Sequence, residues 1–482
     1  MQSTKKLRAL ELANRKGVLQ MNKLMSIIIR SDSYKASQWK QYPPGTQAVS
    51  SYIEARGGSP ESVFFGLQAF IKEYLLDPIT MEDIDKAEKI ITAHGEPFNR
   101  EGWVHIVNAF GGYLPIRIEA VPEGTVMPTS NVQVQIVNTD PKSYWLTSYV
   151  ETALLRGVWY PSTVATKSRE MKLEIAQALK ETSDIPVEDQ INFKLHDFGA
   201  RGASSGETAM LGGMGHLVNF MGTDTMEALV GVMEYYGAEG PVGFSIPASE
   251  HSTITSWGQD REEDAYKNIV ELFSGDGKIY ACVSDSYDIY TAVEKIWGEN
   301  LKEKVVESGG TLVVRPDSGD PLTVPVEVIE LLMEKFGYTI NSKGFKVLPD
   351  CIRVIQGDGI TTETLPIILD NLIEAGISVD NIAFGMGGGL LQKVDRDTLK
   401  YAMKASAIMD QDGVWHDVFK DPIHGGKTSK RGRLRLIQNY DKFCTVNEKA
   451  GGGMKNYLVP VFENGELLHE YTFDEIRRRA SV

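Results

Sequence analysis

The chain of 482 residues is 42% hydrophobic and 24% charged, the composition of a soluble globular protein too long for one ordinary domain. Its net charge of −15 argues against nucleic acid or an anionic membrane as the main partner, so an anionic substrate would need a locally basic pocket. Apolar runs are too short to span a bilayer, and Cys282, Cys351 and Cys444 are far apart without a CxxC, which points to a reducing cytoplasm rather than a disulfide or zinc framework.

Residues 1–30 are basic, with Lys5, Lys6, Arg8, Arg15, Lys16, Lys23 and Arg30 against Glu11, and lack the apolar block of a secretory leader. They read as an N-terminal extension, with Met25 as an alternative start. The stretch 33–56 is rich in Tyr, Gln and Pro and should hold little regular helix. Pro43-Pro44-Gly45 signals a turn, and β-branched and aromatic content predicts a strand over 48–55. Apolar spacing predicts helices over 62–76 and 81–94. Alternating residues over 114–138 read as antiparallel strands, and a helix is expected over 144–155.

From about residue 166 helical stretches alternate with short apolar runs at 193–196, 217–220, 279–283, 311–314, 352–355 and 382–384. This alternation predicts a parallel sheet, closed or nearly closed into an irregular α/β (TIM-like) barrel over 166–404. After 404 the chain returns to short strands. A second, discontinuous α+β domain is expected from 31–165 plus 405–482.

Three of the apolar runs lead into loops rich in glycine and aspartate: Arg315-Pro-Asp317-Ser-Gly319, Gly357-Asp358-Gly359 and Gly385-Met-Gly387-Gly388-Gly389. Glycine lets backbone N–H groups converge on an anion, and aspartates suit ribose hydroxyls or a phosphate-bound Mg²⁺. Repetition along a strand–helix alternation points to a phosphosugar held across the carboxyl ends of parallel strands. Asp285, in Ser284-Asp285-Ser286, adds a further strand-end carboxylate. Phe198 and Arg201 suit a flat heteroaromatic ligand, or else a core ring and a structural ion pair. Asp224 either accepts from a ligand NH₂ or caps a helix. His251, beside Glu250 in the turn that begins at Ser245, is either a base or nucleophile or a structural hydrogen-bonding group. Neither a GxGxxG after an N-terminal strand nor a GxxxxGK[ST] is present, which disfavours dinucleotide and P-loop sites.

Taken together, the strings Gln41-Tyr-Pro-Pro44, Lys194-Leu-His-Asp-Phe-Gly199, Gly222-Thr-Asp-Thr225, Glu250-His-Ser-Thr-Ile-Thr255, Ser284-Asp-Ser-Tyr-Asp-Ile-Tyr290, Arg315-Pro-Asp-Ser-Gly319, Val354-Ile-Gln-Gly-Asp-Gly359 and Gly387-Gly-Gly-Leu-Leu-Gln-Lys393 resemble the nicotinamide phosphoribosyltransferase family from about residue 30 to 480. The resemblance implies transfer of the phosphoribosyl group of 5-phosphoribosyl-1-pyrophosphate to nicotinamide in NAD salvage, with pyrophosphate as the other product. It implies a homodimer whose shared sites stack nicotinamide between Phe198 and Tyr34, the latter from the other subunit. Arg201, Asp224 and Ser245 would address the ring substituent. Arg315, Asp317, Gly357, Asp358, Gly387 and Gly388 would cradle the ribose phosphate, extended by Arg396 and Lys404, and Arg56, Lys420 and Lys427 would face pyrophosphate. Mg²⁺ would act mainly through substrate phosphates. ATP would phosphorylate His251, with Glu250 and Asp285 orienting the imidazole or holding Mg²⁺.

Two positions depart from the family pattern: Met386 replaces a small serine in the third loop, and Ala281 replaces a serine beside the ring slot. The rival readings are a nicotinate-specific enzyme, which Asp224 opposes by charge, and a non-catalytic binding protein, which the presence of Arg315, Asp317 and His251 opposes. A barrel isomerase or aldolase lacks an identifiable lysine or carboxylate base.

Overall fold

The computed structural model describes residues 25–423, 428–440, 442–450 and 452–481. Two sheets organise it. One is antiparallel and seven-stranded, in the order Trp415–Asp417, Ala402–Met409, Ala48–Glu54, Val132–Asn138, Ile116–Ala120, Val459–Glu463, Glu466–Leu467. Its strands come from both ends of the chain. The other is parallel and six-stranded, in the order Gly222–Thr223, Leu195–Asp197, Ile382–Met386, Ile352–Gln356, Thr311–Arg315, Ile279–Val283.

Among the described residues the parallel sheet has six strands, not the eight of a full TIM barrel. Both of its edges bond to one extended segment, 244–249. Phe244 N–H donates to Met221 O at 2.7 Å and Thr223 N–H to Phe244 O at 3.0 Å on one side. On the other, Ala281 N–H donates to Pro247 O at 2.8 Å and Ser249 N–H to Ala281 O at 3.1 Å. Edge strands that would otherwise expose unpaired backbone groups are covered in this way.

One apolar cluster packs the parallel sheet against its helices through Leu195, Val314, Val354, Phe384, Leu332 and Leu369. Another surrounds the antiparallel sheet with Tyr52, Trp103, Ile118, Ile136 and Phe462. Ile27 and Ile28, from the last part of the basic extension, are buried in this second cluster. The Glu151–Thr182 helix serves both, giving Leu154 and Val158 to one and Val164 and Ile175 to the other.

Several expected elements recur closely: the strand Ala48–Glu54, the helix Met81–His94 and the strand Ile279–Val283. Two do not. Residues 62–76, expected to be helical throughout, begin as the strand Glu61–Val63, and the helix starts only at Leu67. The break is Gly66, which adopts φ +103. Residues 217–220, expected to be a strand, are the end of the Gly206–Leu217 helix and the turn after it, where Phe220 stacks on His216 at 5.2 Å. A short apolar run buried on all sides has the same pattern in either conformation.

Gly66 also meets the Glu151–Thr182 helix where Pro161 interrupts its hydrogen bonding. A β-carbon at Gly66 would lie 2.3 Å from Pro161 Cγ and 2.9 Å from Gly157 O. Gly66→Ala should therefore destabilise the fold by about 2–4 kcal/mol through backbone strain and overpacking. Urea unfolding checks this: the midpoint should fall with little change of slope, and an unchanged midpoint would contradict it.

Candidate active site

In a parallel sheet all strands end on one side, so the residues just past their carboxyl ends are brought together. Here those residues are Phe198 after Leu195–Asp197, Asp224 after Gly222–Thr223, Asp285 after Ile279–Val283, Asp317 after Thr311–Arg315, Gly357 and Asp358 after Ile352–Gln356, and Gly387 and Gly388 after Ile382–Met386.

The Phe198 loop docks on the glycine loop beside it. Phe198 N–H donates to Met386 O at 2.9 Å. A β-carbon at Gly385 would fall 2.0 Å from Phe198 Cε2, and one at Gly357 would stand 3.5 Å from the same atom. One at Gly199 would fall 2.6 Å from Leu391 Cγ, and one at Gly202 would lie 3.0 Å from Gly388 Cα. Absent side chains thus let the ring lie on backbone. Ala281, Val313 and Ile355 form a small buried apolar cluster against which Phe198, Ile246 and Ala383 pack. Ala281 belongs to this apolar patch, and Met386 turns its side chain into the core beneath the loop, leaving the backbone of Gly387 and Gly388 unaffected.

Ser245, on the segment that clasps the sheet edges, donates its hydroxyl to Asp224 Oδ1 at 2.6 Å, and both residues are exposed. Asp224 N–H donates to Asp197 O at 2.9 Å, which ties this acid to the strand carrying Phe198. Arg201 is exposed on the short turn Ala200–Gly202.

Next to the ring wall lies a cluster of acids around one imidazole. A β-carbon at Gly357 would stand 3.5 Å from Asp317 Oδ1, so the Asp317 carboxylate borders the same space as Phe198. Arg315 approaches Asp317 at 3.6 Å, and its Nε is buried without a hydrogen-bond partner among the described residues. His251 Nε2 contacts Asp285 Oδ1 at 2.9 Å, and Nδ1 lies 3.9 Å from Asp317 Oδ2. Asp285 Oδ2 accepts from Asp317 N–H at 3.1 Å and from the Ser318 hydroxyl at 2.5 Å. Burial pushes the Asp317 carboxyl up; Arg315 and His251 oppose this, while Asp285 and Asp358 add to it. The imidazole stays 46% exposed, whereas the Asp285 side chain is 3% exposed, so an accessible ring is held by a buried carboxylate.

Glu250, expected with Asp285 to orient the imidazole or hold Mg²⁺, makes no contact with the ring among the described residues; it caps the His251–Thr255 helix and accepts from the Ser252 hydroxyl. The carboxylate on the imidazole is Asp285.

The expected phosphate cations lie on the antiparallel sheet and its flanks. Arg56 N–H donates to Leu399 O at 3.0 Å and its Nε to Lys400 O at 3.2 Å. Lys404 sits opposite Tyr52 in the register of Ala48–Glu54 with Ala402–Met409. Burial lowers the Lys404 ammonium, Glu151 opposes this, and Arg56, Arg396 and Lys35 add to it, so these cations converge. Arg396 pairs with Asp397 at 3.2 Å, and Lys420 is exposed. Among the described residues no hydrogen bond or ion pair joins this group to the acid–imidazole cluster. Tyr34 is 57% exposed on the 3-10 helix Ser33–Lys40, a helical turn that the expectation for 33–56 did not include, with the Lys35 ammonium 5.3 Å from its ring centre. Lys427 lies outside the described residues.

Sequence reading passed over three residues that matter here. Gly385 was visible only as part of a glycine-rich loop, and Ser318 only as a loop residue. Asp197 looked like the unremarkable neighbour of Phe198.

The Nicotinate phosphoribosyltransferase (NAPRTase) family model matches residues 193–466, and the model of the nicotinamide phosphoribosyltransferase N-terminal domain matches residues 26–118. The nicotinamide phosphoribosyltransferase of Xanthomonas campestris pv. campestris is 53% identical over 96% of this chain and 99% of its own. The enzyme of the same name from Acinetobacter baylyi is 32% identical over 93% of this chain and 95% of its own. Among solved structures, the nicotinate-nucleotide pyrophosphorylase of Pyrococcus furiosus superposes with TM-score 0.57 at 17% identity, covering 96% of each chain. Human nicotinic acid phosphoribosyltransferase does so with TM-score 0.52 at 17% identity, covering 93% of this chain and 92% of its own. Those two share the fold, while the matched family model and the sequence relatives decide the assignment: the chain belongs to the nicotinate phosphoribosyltransferase family and is a phosphoribosyltransferase enzyme.

Proposed function

We propose that the protein transfers the phosphoribosyl group of 5-phosphoribosyl-1-pyrophosphate to the ring nitrogen of nicotinamide, making nicotinamide mononucleotide and pyrophosphate for NAD salvage. The lone pair of the pyridine nitrogen forms the bond to the anomeric carbon, and pyrophosphate leaves with the electrons of the broken C–O bond. No strong base is required, so positioning and electrostatics carry the catalysis.

The observation that carries the choice of ring is Asp224. Its carboxylate, one oxygen engaged by Ser245, can accept from a carboxamide NH₂ but repels the carboxylate of nicotinate. Phe198 offers the flat wall, and Tyr34 of the partner subunit supplies the opposite one in a homodimer. Arg201 stands ready for the amide oxygen. Gly357, Asp358, Gly387 and Gly388 cradle the ribose and 5′-phosphate, and the Arg56, Arg396 and Lys404 group, with Lys420 and Lys427, faces phosphate oxygens.

Among the described residues no three carboxylates, imidazoles or thiols group as a metal site. Mg²⁺ in this reading would be held mainly by substrate phosphates and would neutralise the leaving group. ATP phosphorylates His251: an imidazole nitrogen bonds the terminal phosphorus, and ADP leaves. The buried Asp285 carboxylate supports this by holding the ring through one of its nitrogens. Cys282, Cys351 and Cys444 are all unpaired and no described helix is long and apolar enough to cross a membrane, which fits a cytoplasmic enzyme.

Three substitutions test these assignments. Asp224→Ser should narrow the preference for nicotinamide over nicotinate, measured as a ratio of kcat/KM, by about tenfold or more, since one repulsive charge at close range is worth at least ~1.4 kcal/mol. An unchanged ratio would remove Asp224 from selectivity. His251→Ala should abolish both transfer of labelled phosphate from ATP to protein and the stimulation of turnover by ATP, while leaving ATP-independent turnover measurable. Gly385→Ala should push Phe198 aside and raise KM for nicotinamide about tenfold or more, in keeping with the sensitivity of packed sites to displacements of ~1 Å.

A further inference from the structure

Asp197 has no role in the reading above, yet it lies where the elements of the ring slot meet. It is the last residue of the Leu195–Asp197 strand and is 0% exposed. Its Oδ1 accepts from Gly199 N–H at 2.7 Å, closing a turn around Phe198. Its carbonyl oxygen accepts from Asp224 N–H at 2.9 Å. Its Oδ2 is buried, facing Gly213 of the Gly206–Leu217 helix, where an added β-carbon would stand 3.2 Å away, with the Thr225 and Thr223 hydroxyls close to the carboxyl. A fully buried carboxyl is costly, and the hydrogen bonds it makes here go to the turn that carries Phe198.

We infer that Asp197 is a positioning residue for ring binding: its carboxyl holds the Phe198–Gly199 turn at the angle that presents the phenyl ring to the substrate. This rests on the ring slot proposed above and adds a residue that does not touch the ligand. The side chain fixes the wall through Gly199 N–H. The backbone of the same residue fixes the strand end that carries Asp224. Loss of the carboxyl should therefore disturb the wall while leaving the acceptor and the phosphate loops in place.

Burial raises the Asp197 carboxyl to about 6; Gly199 N–H and the Thr225 and Thr223 hydroxyls oppose the rise, and Asp224 adds to it. The titratable groups that face it are Asp224 beyond the adjacent strand and Tyr160 on the Glu151–Thr182 helix. The charged carboxylate is the better acceptor for Gly199 N–H, so wall positioning weakens as pH falls through about 6.

The experiment compares Asp197→Ala and Asp197→Asn by steady-state kinetics in both substrates, with near-ultraviolet circular dichroism to confirm folding. Asp197→Ala should raise KM for nicotinamide about tenfold and leave KM for 5-phosphoribosyl-1-pyrophosphate within about twofold, the loss of one charge-assisted hydrogen bond. Asp197→Asn keeps an oxygen acceptor without the charge and should recover part of the loss, with KM for nicotinamide between the native and Ala values at pH 8. The ratio of native to Asn-variant kcat/KM for nicotinamide should fall below about pH 6, with ionisation of the phosphorylated substrate cancelling because it is common to both. Equal changes in both KM values, an Ala variant with unchanged KM, or an Asn variant as impaired as Ala would each overturn the inference. If the Ala variant does not fold, a pH-independent ratio for the Asn variant overturns it. A native enzyme that consumes nicotinate instead of nicotinamide would defeat the reading of Asp224, and the same comparison with nicotinate would still decide Asp197.

Discussion

The Phe198 ring rests on bare backbone. A β-carbon at Gly385 would fall 2.0 Å from the ring and one at Gly199 2.6 Å from Leu391, so the ring-bearing loop and the glycine loop can meet only because both lack side chains at the contact. That close approach decides much of the site. It sets the height of the aromatic wall above the sheet, and it brings Gly357, and through it Asp317, to the same edge. In the proposed reading such a fixed reference matters, because an error of about 1 Å between ring wall and phosphate cradle would misplace the attacking nitrogen.

Charge is arranged against the overall balance of the molecule. The chain carries −15, and Asp224, Asp285, Asp317 and Asp358 all stand at strand ends. Arg315 reaches Asp317, while the other cations stand apart on the antiparallel sheet and its flanks, where Lys404 has its ammonium lowered by burial, with Arg56, Arg396 and Lys35 adding to the effect. Acids suit ribose hydroxyls, a carboxamide and phosphate-bound Mg²⁺, while cations suit phosphoryl oxygens, and the two sets occupy different parts of the fold. His251 lies among the acids, one nitrogen on Asp285 and the other facing Asp317.

Much of this was legible in the chain. Strands such as Ile279–Val283 and Ile352–Gln356 announce themselves as apolar runs ending in glycine or aspartate, because parallel strands are buried on both faces and their ends carry chemistry. What was not legible depends on long-range contacts. The strand Gly222–Thr223 is too short to show a pattern, so the neighbouring run at 217–220 drew the assignment. The clasp at 244–249 contains a proline and forms hydrogen bonds to two edges that only the folded sheet brings near. Glu250 adjoins His251 in sequence, but the helix start turns it towards Ser252, and the carboxylate that reaches the imidazole comes from a strand 34 residues away in sequence. Asp197 gives no local sign of its burial, since its neighbours in the strand point to opposite faces.

The decisive measurement is a competition assay in which the purified protein receives 5-phosphoribosyl-1-pyrophosphate and Mg²⁺ with nicotinamide and nicotinate together at equal concentration, and the mononucleotides are separated and quantified. Nicotinamide mononucleotide as the dominant product, with pyrophosphate in equal amount, is the predicted result. Nicotinate mononucleotide as the dominant product would contradict the charge-based role given to Asp224 while leaving the fold and the phosphosugar cradle standing.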